Sequence, residues 1–401
     1  MRAARPSVTG IDKLGVLVAG LLVAGALLPF ASFRATRILL GEPRSLVEAL
    51  PAPEAALFGI VVAAAGIVAL LRSPPRARLA ASAIGLLASA IAIGRAADVL
   101  TPEGDTFARV GPGSGFWLIL AGLGLLLADA LTRLRLSPQG RIAALATGAV
   151  ALAGLLLSGI WSDLSVLREY AVRADAFWAE ARRHVLLAFG SLGAASLVGI
   201  PLGIALTRAP ALRAGVLNVL NMIQTIPSIA LFGLLIAPLA WIAASVPGAS
   251  ALGISGIGVA PAFVALFAYS LLPVVANTLV GLDGVPRQAR EAARGMGMTQ
   301  VQRLAQVELP LAFPVVLTGV RIVLVQNIGL ATIAALIGGG GFGVFVFQGI
   351  GQTASDLVLL GALPTVVLAV SSAIVLDALV ELSERPGASS GAAAGGTGAA
   401  R

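Results

Sequence analysis

The sequence has few of the side chains on which most protein chemistry depends. It contains no cysteine and a single histidine, which excludes disulfides and makes a zinc site of four Cys or His ligands untenable. Lys13 is the only lysine and follows no Gly-rich turn, so the chain has no P-loop and is not an ATPase of that kind. No Ser/His/Asp or paired-carboxylate constellation is visible. We therefore predict no catalytic, cofactor-binding or metal-binding residue.

Charge is also scarce, whereas hydrophobic residues dominate. Only 11% of the 401 residues are charged, and 58% are hydrophobic, with a mean hydropathy of +0.97. Soluble proteins are about 25% charged. This composition predicts a polytopic membrane protein. The sequence pI of about 11.3 does not indicate nucleic-acid binding, because the arginines are dispersed in short loops, where they orient membrane helices.

Ten apolar runs approach or reach the length of about 20 residues that crosses a bilayer. They lie near 14–31, 55–71, 77–94, 116–131, 142–160, 185–206, 214–238, 259–281, 313–336 and 357–380. The first follows basic residues, as a signal peptide does, but its exit is a poor cleavage site, so we interpret it as a retained helix. The runs predict an all-α fold of about ten transmembrane helices.

The Lys and Arg residues predict an orientation. If the polar loop at 282–312 is cytoplasmic, the inside segments contain 17 Lys/Arg and the outside segments contain 9. Positive charge is retained on the cytoplasmic side, so both termini are predicted to lie inside the cell.

Prolines distinguish the two halves of the chain. Pro201, Pro227, Pro273 and Pro364 interrupt apolar runs of the second half, whereas helices two to five have no interior proline. Kinked helices are tolerated in a bilayer where neighbours or water satisfy the freed carbonyls, as along a pathway. We therefore place the working domain at 182–381 and an accessory membrane domain of about five helices at 1–160.

The segment joining the halves is amphipathic. One helical face of 161–184 carries Leu167, Tyr170, Phe177 and Trp178, and the other face is charged. This pattern predicts a helix on the outer membrane surface, assigned to 161–181. The low-complexity tail at 382–401 is predicted to be a disordered cytoplasmic end.

The longest polar interruption of the second half is the loop at 282–314. Pro286 suits a first helical turn, and good helix formers follow it. Thr299 and Gln302 form a capping-box pattern for a second short helix, expected to end before Pro310. Such a structured hairpin suggests a docking surface, although a solvated loop is the alternative.

Within this loop, Glu291-Ala292-Ala293, a following glycine and Leu309-Pro310 resemble the EAA loop of ABC-importer permeases. The family's central glycine corresponds to either Gly295 or Gly297. In that family the loop forms helices that dock into the ATPase subunit. The resemblance therefore implies ATPase coupling for Glu291, Ala292, Ala293, Gly295, Gly297, Leu309 and Pro310.

The resemblance extends over about 200 residues, through segments such as QTIPS, LLP, EAARGMGMT and GGGGFG. Together they are similar to the permease of osmoprotectant importers of the glycine betaine/carnitine/choline group, in a long form with extra N-terminal helices. This implies a type I importer permease core in the C-terminal half and a prokaryotic inner (plasma) membrane location. It also implies separate ATPase subunits that bind ATP and Mg²⁺, an extracytoplasmic substrate-binding protein, and a second permease copy or paralogue.

Three further groups are candidates for the transport route. Gln224 and Thr225 beside Pro227 are expected to line a wet path rather than face lipid, with local satisfaction of a kinked helix as the alternative. Asn277 is a weaker pathway candidate, because packing between helices also explains it. The glycines at 338–341 form an outer gate or binding-protein contact, or else a plain turn. These four are Gly338, Gly339, Gly340 and Gly341.

Two polar residues in or beside apolar runs are expected to be structural. Arg321 lies inside the ninth run, where an unpaired charge is unfavourable, and Asp377 is its predicted partner. His184 is expected at the membrane interface.

Other functions stay open. An ABC permease for another small solute, such as an amino acid, would share the same motifs. An ion-coupled secondary transporter is less favoured, because the acids lie near helix ends and the halves do not repeat. An intramembrane enzyme is disfavoured by the missing catalytic constellation.

Overall fold

The computed structural model describes residues 12–36 and 39–383. These residues divide into two compact units, with the boundary between Arg173 and Ala174. Most of the predicted tail, from position 384 onward, lies outside the described residues.

The first unit contains five long helices and a small sheet. In chain order its elements are α1 (Lys13–Leu27), β1 (Ala31–Arg34), β2 (Glu42–Arg44), α2 (Leu46–Ala49), α3 (Ala52–Leu70), α4 (Pro75–Leu100), β3 (Arg109–Pro112), α5 (Ser114–Leu134), α6 (Pro138–Leu157) and α7 (Ser165–Val172). Helices α1, α3, α4 and α5 surround one apolar core that includes Leu22, Phe58 and Leu123. Small residues allow the close approach, since a Cβ on Gly15 would collide with the α3 backbone at Ala69.

The sheet was not predicted from the sequence. It is antiparallel in the order β2–β1–β3, and Phe33 of β1 lies opposite Glu42 on one side and Val110 on the other. Each strand has only three or four residues, shorter than the alternating runs from which strands are recognised. Pairing among segments distant in sequence satisfies their backbone groups where no helix forms.

Arg78 is a fully buried charge in the first unit. Its guanidinium lies 2.7 Å from Asp12 Oδ2 and 2.6 Å from Asp129 Oδ2, and it donates a hydrogen bond to the Ala69 carbonyl at 3.2 Å. Arg133 pairs with the same two carboxylates. The sequence indicated only a cytoplasmic positive charge at position 78, whereas the structure shows a contact that joins α1, α3, α4 and α5.

The described residues of the second unit form helices joined by turns, without a strand. Its elements are α8 (Ala174–Val185), a π turn (Leu186–Gly190), α9 (Ser191–Arg208), α10 (Pro210–Thr225), α11 (Ser228–Leu234), α12 (Ile236–Ser245), a 3₁₀ turn (Ser250–Leu252), α13 (Val259–Asp283), α14 (Arg287–Gly295), α15 (Gln300–Arg303), a π turn (Leu304–Glu308), α16 (Leu309–Ala331), a 3₁₀ turn (Ile333–Ile337), α17 (Gly343–Gly351) and α18 (Ser355–Ser383).

Within the described residues, nine helical segments are long and apolar enough to cross a membrane, with α8–α9, α11–α12 and α15–α16 each counted as one. Helix α1 is apolar but shorter, at 15 residues. The prediction of a helical membrane protein with about ten spans is thus confirmed.

The bounds predicted for the seventh span, 214–238, are wrong. Helix α10 ends at Thr225, and the backbone is extended at Ile226 and Pro227, with ψ of 127° and 137°. Because Pro227 has no N–H to continue the hydrogen-bond ladder, the helix stops there. The apolar segment that can span is instead Ser228–Ser245.

Residues 161–184, expected to form one amphipathic helix, form parts of two. Helix α7 ends at Val172, and α8 runs through a π turn into α9 as one segment of 35 residues. His184, predicted at the membrane interface, is not an exposed surface residue, and its depth in the membrane stays a prediction. This side chain is fully buried, and its Nδ1 accepts a hydrogen bond from the Phe342 N–H at 3.3 Å.

Helices α9, α13 and α16 form the centre of the second unit. Gly203 of α9 packs on Thr278 of α13, where a Cβ would approach within 2.7 Å. The buried Asn327 amide of α16 donates to Ser191 Oγ on α9 at 3.0 Å and to Ser270 Oγ on α13 at 2.8 Å. Small residues and side-chain hydrogen bonds are the usual contacts between membrane helices.

Candidate functional site

The polar loop between α13 and α16 is folded, as predicted. Helix α14 is followed by a turn in which Gly297 has a φ of +77°. The capping box is present: Thr299 Oγ1 accepts from the Gln302 N–H at 3.3 Å, and Gln302 Oε1 accepts from the Thr299 N–H at 2.9 Å. Gly295 ends α14 without a positive φ. The left-handed turn therefore identifies Gly297 as the glycine that the loop conformation requires.

The second helix of the loop does not end before Pro310. It continues from Gln300 through the π turn into α16, so that one helical segment of 32 residues runs to Ala331. Within the π turn the Leu309 N–H donates to the Leu304 carbonyl, five residues back. Pro310 follows directly after the π turn, and such a local irregularity accommodates a proline inside a continuous helix. The loop and a membrane-spanning helix are thus one continuous rod.

Glu308 connects the two loop helices to the start of this membrane helix. Its Oε1 lies 2.8 Å from Arg303 Nε and 3.8 Å from Arg290 Nε. Arg290 of α14 also donates to the Leu282 carbonyl near the end of α13. Below, the Arg290–Glu308–Arg303 contacts are called the Glu308 clamp. This clamp holds the loop against both α13 and α16.

The outer face of the loop is exposed and chemically mixed. Glu291, Ala292, Gly295 and Gly297 are exposed, whereas Ala293 is buried. Leu309 is half-buried and Pro310 is exposed. Two large apolar side chains also project into solvent, and both positions were missed from the sequence: Met296 and Val301. Exposed apolar groups on a polar surface are typical of a protein-binding site.

The proposed pathway residues at 224–227 lie at the break between α10 and α11. Gln224 Nε2 donates to the Tyr269 carbonyl at 2.8 Å, and the Tyr269 hydroxyl donates to the Ile226 carbonyl. Thr225 is exposed and bonds to the Met222 carbonyl at 2.7 Å. The break is thus fixed to α13, and Thr225 is the more accessible of the two polar side chains.

Asn277 lies between α13 and α16. Its amide donates to the Pro273 carbonyl at 2.8 Å, one turn earlier on the same helix. Its Cβ lies against Gly319, where a glycine Cβ would come within 2.6 Å. These contacts favour the packing role that the sequence left open.

The glycines at 338–341 pack beneath α8. Gly338, Gly340 and Gly341 have φ between 76° and 86°, and Gly339, Gly340 and Gly341 are buried. The Gly341 N–H donates to Glu180 Oε2 at 2.6 Å. Direct contact with another protein is therefore confined to Gly338 in this conformation, and an outer-gate role for the segment stays a prediction.

The predicted pairing of Arg321 with Asp377 is present, and it joins α16 to α18. Both side chains are partly exposed, at 33% and 40%. Both residues lie within helices rather than in loops, as expected for a structural ion pair in a membrane protein.

Two families match separate parts of the chain. Residues 199–385 match the family described as binding-protein-dependent transport system inner membrane component, and residues 12–167 match the N-terminal domain of ABC transporter permease YehY. The osmoprotectant import permease protein OsmW of Salmonella typhimurium is 44% identical over 198 residues, covering 49% of this chain and 85% of that protein. The chain belongs to the ABC-importer permease family.

Other relatives of this permease carry related names. The choline transport system permease protein OpuBB of Bacillus subtilis is 36% identical over 202 residues, covering 50% of this chain and 84% of that protein. The solved inward-facing structure of the MetNI methionine ABC transporter matches 53% of this chain and 96% of that chain, with 24% identity and a TM-score of 0.45.

Family membership defines the general role. The permease is a multi-pass inner-membrane transport component with a type I importer core in its second half. Permeases of this class work with ATPase and substrate-binding partners. The first half, which matched no motif in the sequence, is a recognised N-terminal domain of such permeases.

Proposed function

We propose that this permease is the membrane-spanning subunit of an ATP-driven importer for glycine betaine, choline or a related quaternary ammonium osmoprotectant. The names of its relatives support the substrate class: osmoprotectant, choline and glycine betaine/carnitine/choline. Quaternary ammonium groups are held by aromatic faces. Only 5% of this chain is aromatic. We therefore assign recognition to an extracytoplasmic binding protein and a weakly binding path to this chain.

The continuous helix from Gln300 to Ala331 carries the coupling part of the proposal. A separate ATPase subunit, which binds ATP and Mg²⁺, docks on the exposed loop face around Glu291, Met296 and Val301. Because α15 and α16 form one rod, a displacement of the docked loop moves the membrane helix directly. Through the contacts of the Glu308 clamp, α14 and the end of α13 move together with this helix.

The polar face of α10 supports a transport route shared with a second permease copy or a paralogue. Asn218, Asn221 and Thr225 follow helical spacing and are exposed. Helix α10 is not among the segments apolar enough to span. Polar side chains at membrane depth face water or another protein rather than lipid. A partner permease facing this side of α10 would enclose a wet path.

The orientation completes the proposal. The 17 to 9 distribution of Lys/Arg supports a cytoplasmic position for the loop and both termini. The segment at 338–341 then lies toward the outside, where substrate arrives.

Reconstitution tests the proposal directly. Proteoliposomes containing this permease, with and without its ATPase and binding protein, are given labelled glycine betaine. Uptake is expected only with ATP and all partners, and unlabelled choline or carnitine is expected to compete. Competition by an amino acid instead would show that the permease imports another class of solute. Uptake driven by an ion gradient without the ATPase would overturn the importer assignment.

A further inference from the structure

The glycine segment at 338–341 is fastened to α8 through two consecutive backbone donors. The Gly341 N–H donates to Glu180 Oε2 at 2.6 Å, and the N–H of the next residue, Phe342, donates to His184 Nδ1 at 3.3 Å. The two acceptors are one helical turn apart, so they lie on the same face of α8. One face of α8 therefore holds the end of the glycine segment.

The packing around these two bonds is close. A Cβ on Gly340 would come within 2.6 Å of Glu180 Oε2, and a Cβ on Gly341 would come within 3.1 Å of His184 Nδ1. The Phe342 ring lies against the imidazole, with 4.9 Å between the ring centroids, and His184 is fully buried. The segment thus helps to enclose the imidazole that holds it, and this side chain is shielded from solvent while the segment is docked.

The hydrogen bond defines the protonation state of the ring. A ring nitrogen that accepts a hydrogen bond carries no proton, so His184 is neutral here, with its proton on Nε2. An imidazolium carries N–H groups on both nitrogens and cannot accept from Phe342. Because the site is buried, two donors facing each other would both lose their hydrogen bonds at a large cost. Docking of the segment and protonation of His184 therefore exclude each other.

The charged side chains that face this ring come from α8 itself. Glu180 pairs with Arg183 at 2.9 Å, and the Arg183 side chain is 53% exposed. The neighbouring stretches 185–207 and 322–355 contain no charged residue. Since the Glu180 carboxylate already accepts from Arg183 and from the Gly341 N–H, it is not free to hold an imidazolium while the segment is docked.

We propose that Glu180 and His184 form a pH-sensitive latch, which holds the 338–341 segment while His184 is neutral and releases it when His184 takes up a proton. Once released, the imidazolium can pair with Glu180 one turn away, so both acceptors leave the segment together. By the charge distribution of the loops, the latch responds to the pH outside the cell. Its role as an outer gate rests on the proposed importer function, whereas its opening is a property of the permease alone.

Hydrogen–deuterium exchange of the full chain in lipid nanodiscs measures the docking. The peptide that contains Gly341 and Phe342 is compared between about pH 7.5 and about pH 4, with exchange times scaled for the intrinsic effect of pH. We expect protection of these amides in the parent to fall by about tenfold or more at acid pH, as two hydrogen bonds are lost. His184 is the only histidine, so NMR of ring-labelled histidine reports its protonation in the same sample.

Three variants separate the latch from a general effect of acid. His184→Asn keeps a neutral side-chain acceptor that does not titrate, and it should stay docked at both pH values. His184→Ala removes the acceptor and should show low protection at both. Asp175→Asn removes an exposed carboxylate elsewhere on α8 and should respond to pH like the parent. A thermal unfolding temperature of His184→Asn near that of the parent shows that this variant is folded.

Two results would overturn the latch. One is a loss of protection at acid pH that persists in His184→Asn, and the other is full protection in the parent after its histidine signal shows an imidazolium.

Uptake in proteoliposomes tests the gate role separately. Lowering only the external pH should reduce ATP-driven uptake by the parent, because a released segment no longer has one fixed arrangement, but not uptake by His184→Asn. An equal response of both would remove the gate role. If no variant shows ATP-driven uptake, the proposed importer function fails, whereas the exchange result still decides the latch.

Discussion

Removing the Glu308 side chain is expected to separate ATP hydrolysis from transport. In the Glu308→Ala variant, Arg303 and Arg290 lose the carboxylate that ties α14 and α15 to the start of α16. The exposed docking face around Met296 and Val301 is unchanged. The ATPase should therefore still dock, whereas movement of the loop is transmitted less completely to the membrane helices.

The geometry gives the size of the effect. The contact between Arg303 and Glu308 is 2.8 Å long, and the two side chains are only 17% and 15% exposed. A charge-assisted hydrogen bond of this kind contributes about 1.5–3 kcal/mol. A difference of 1.4 kcal/mol corresponds to a factor of ten. Loss of the contact therefore lowers the population in which the loop is held against α16, relative to the population in which it is not, by roughly ten- to a hundredfold. Glu308→Gln keeps an acceptor and should have a smaller effect.

The assay measures labelled substrate imported per ATP hydrolysed in proteoliposomes, together with ATPase capture by the purified permease. We expect the ratio to fall by about tenfold or more in Glu308→Ala while capture stays near the parent value. Glu103→Gln removes an exposed carboxylate in the first unit and serves as the control.

A double-mutant cycle distinguishes the clamp from a general loss of charge. Arg303→Ala and Glu308→Ala should each reduce the ratio, and the double variant should be little worse than either, because both remove the same contact. Strictly additive effects, or a parent-like ratio in Glu308→Ala, would refute the role assigned to this contact.

The remaining predictions concern stability and the loop turn. Arg78→Ala removes the buried cation between Asp12 and Asp129, which then keep only the partly exposed Arg133 as a partner. We expect a loss of about 1.5–3 kcal/mol in unfolding free energy, measured by denaturant unfolding followed through tryptophan fluorescence. Burial alone would raise the pKa of Asp12, but the hydrogen bond from Arg133 and the charge of Arg78 lower it below 3.8. Asp12 therefore contributes stability that is fully present above its unfolded-state pKa and is lost as the pH falls through its lower folded-state pKa. In Asp12→Asn the free energy of unfolding should depend less steeply on pH in this acid range. Gly297→Ala strains a φ of +77° by about 1–2 kcal/mol and should weaken ATPase capture, whereas Gly295→Ala should not.

Local patterns in the loop were recognisable from the sequence. The Thr299–Gln302 capping box needs only residues three apart, and the structure contains it. The end predicted before Pro310 was wrong because the adjoining π turn changes the hydrogen-bond register. Composition does not reveal such a turn. Pro227 did end a helix, but the apolar run around it concealed that α10 and the following span are separate.

The sequence by itself determined that this is a helical membrane protein with about ten spans, a folded polar loop and an EAA pattern. Those properties depend on composition, run length and neighbouring residues. Only the tertiary structure decided which polar groups meet. Asp12 and Arg78 are 66 residues apart, and Ser191 and Asn327 are 136 apart. Arg78 is buried rather than a loop charge because the packing of distant helices brings these groups together. Arg290 reaches Glu308 because the loop folds back against the start of α16.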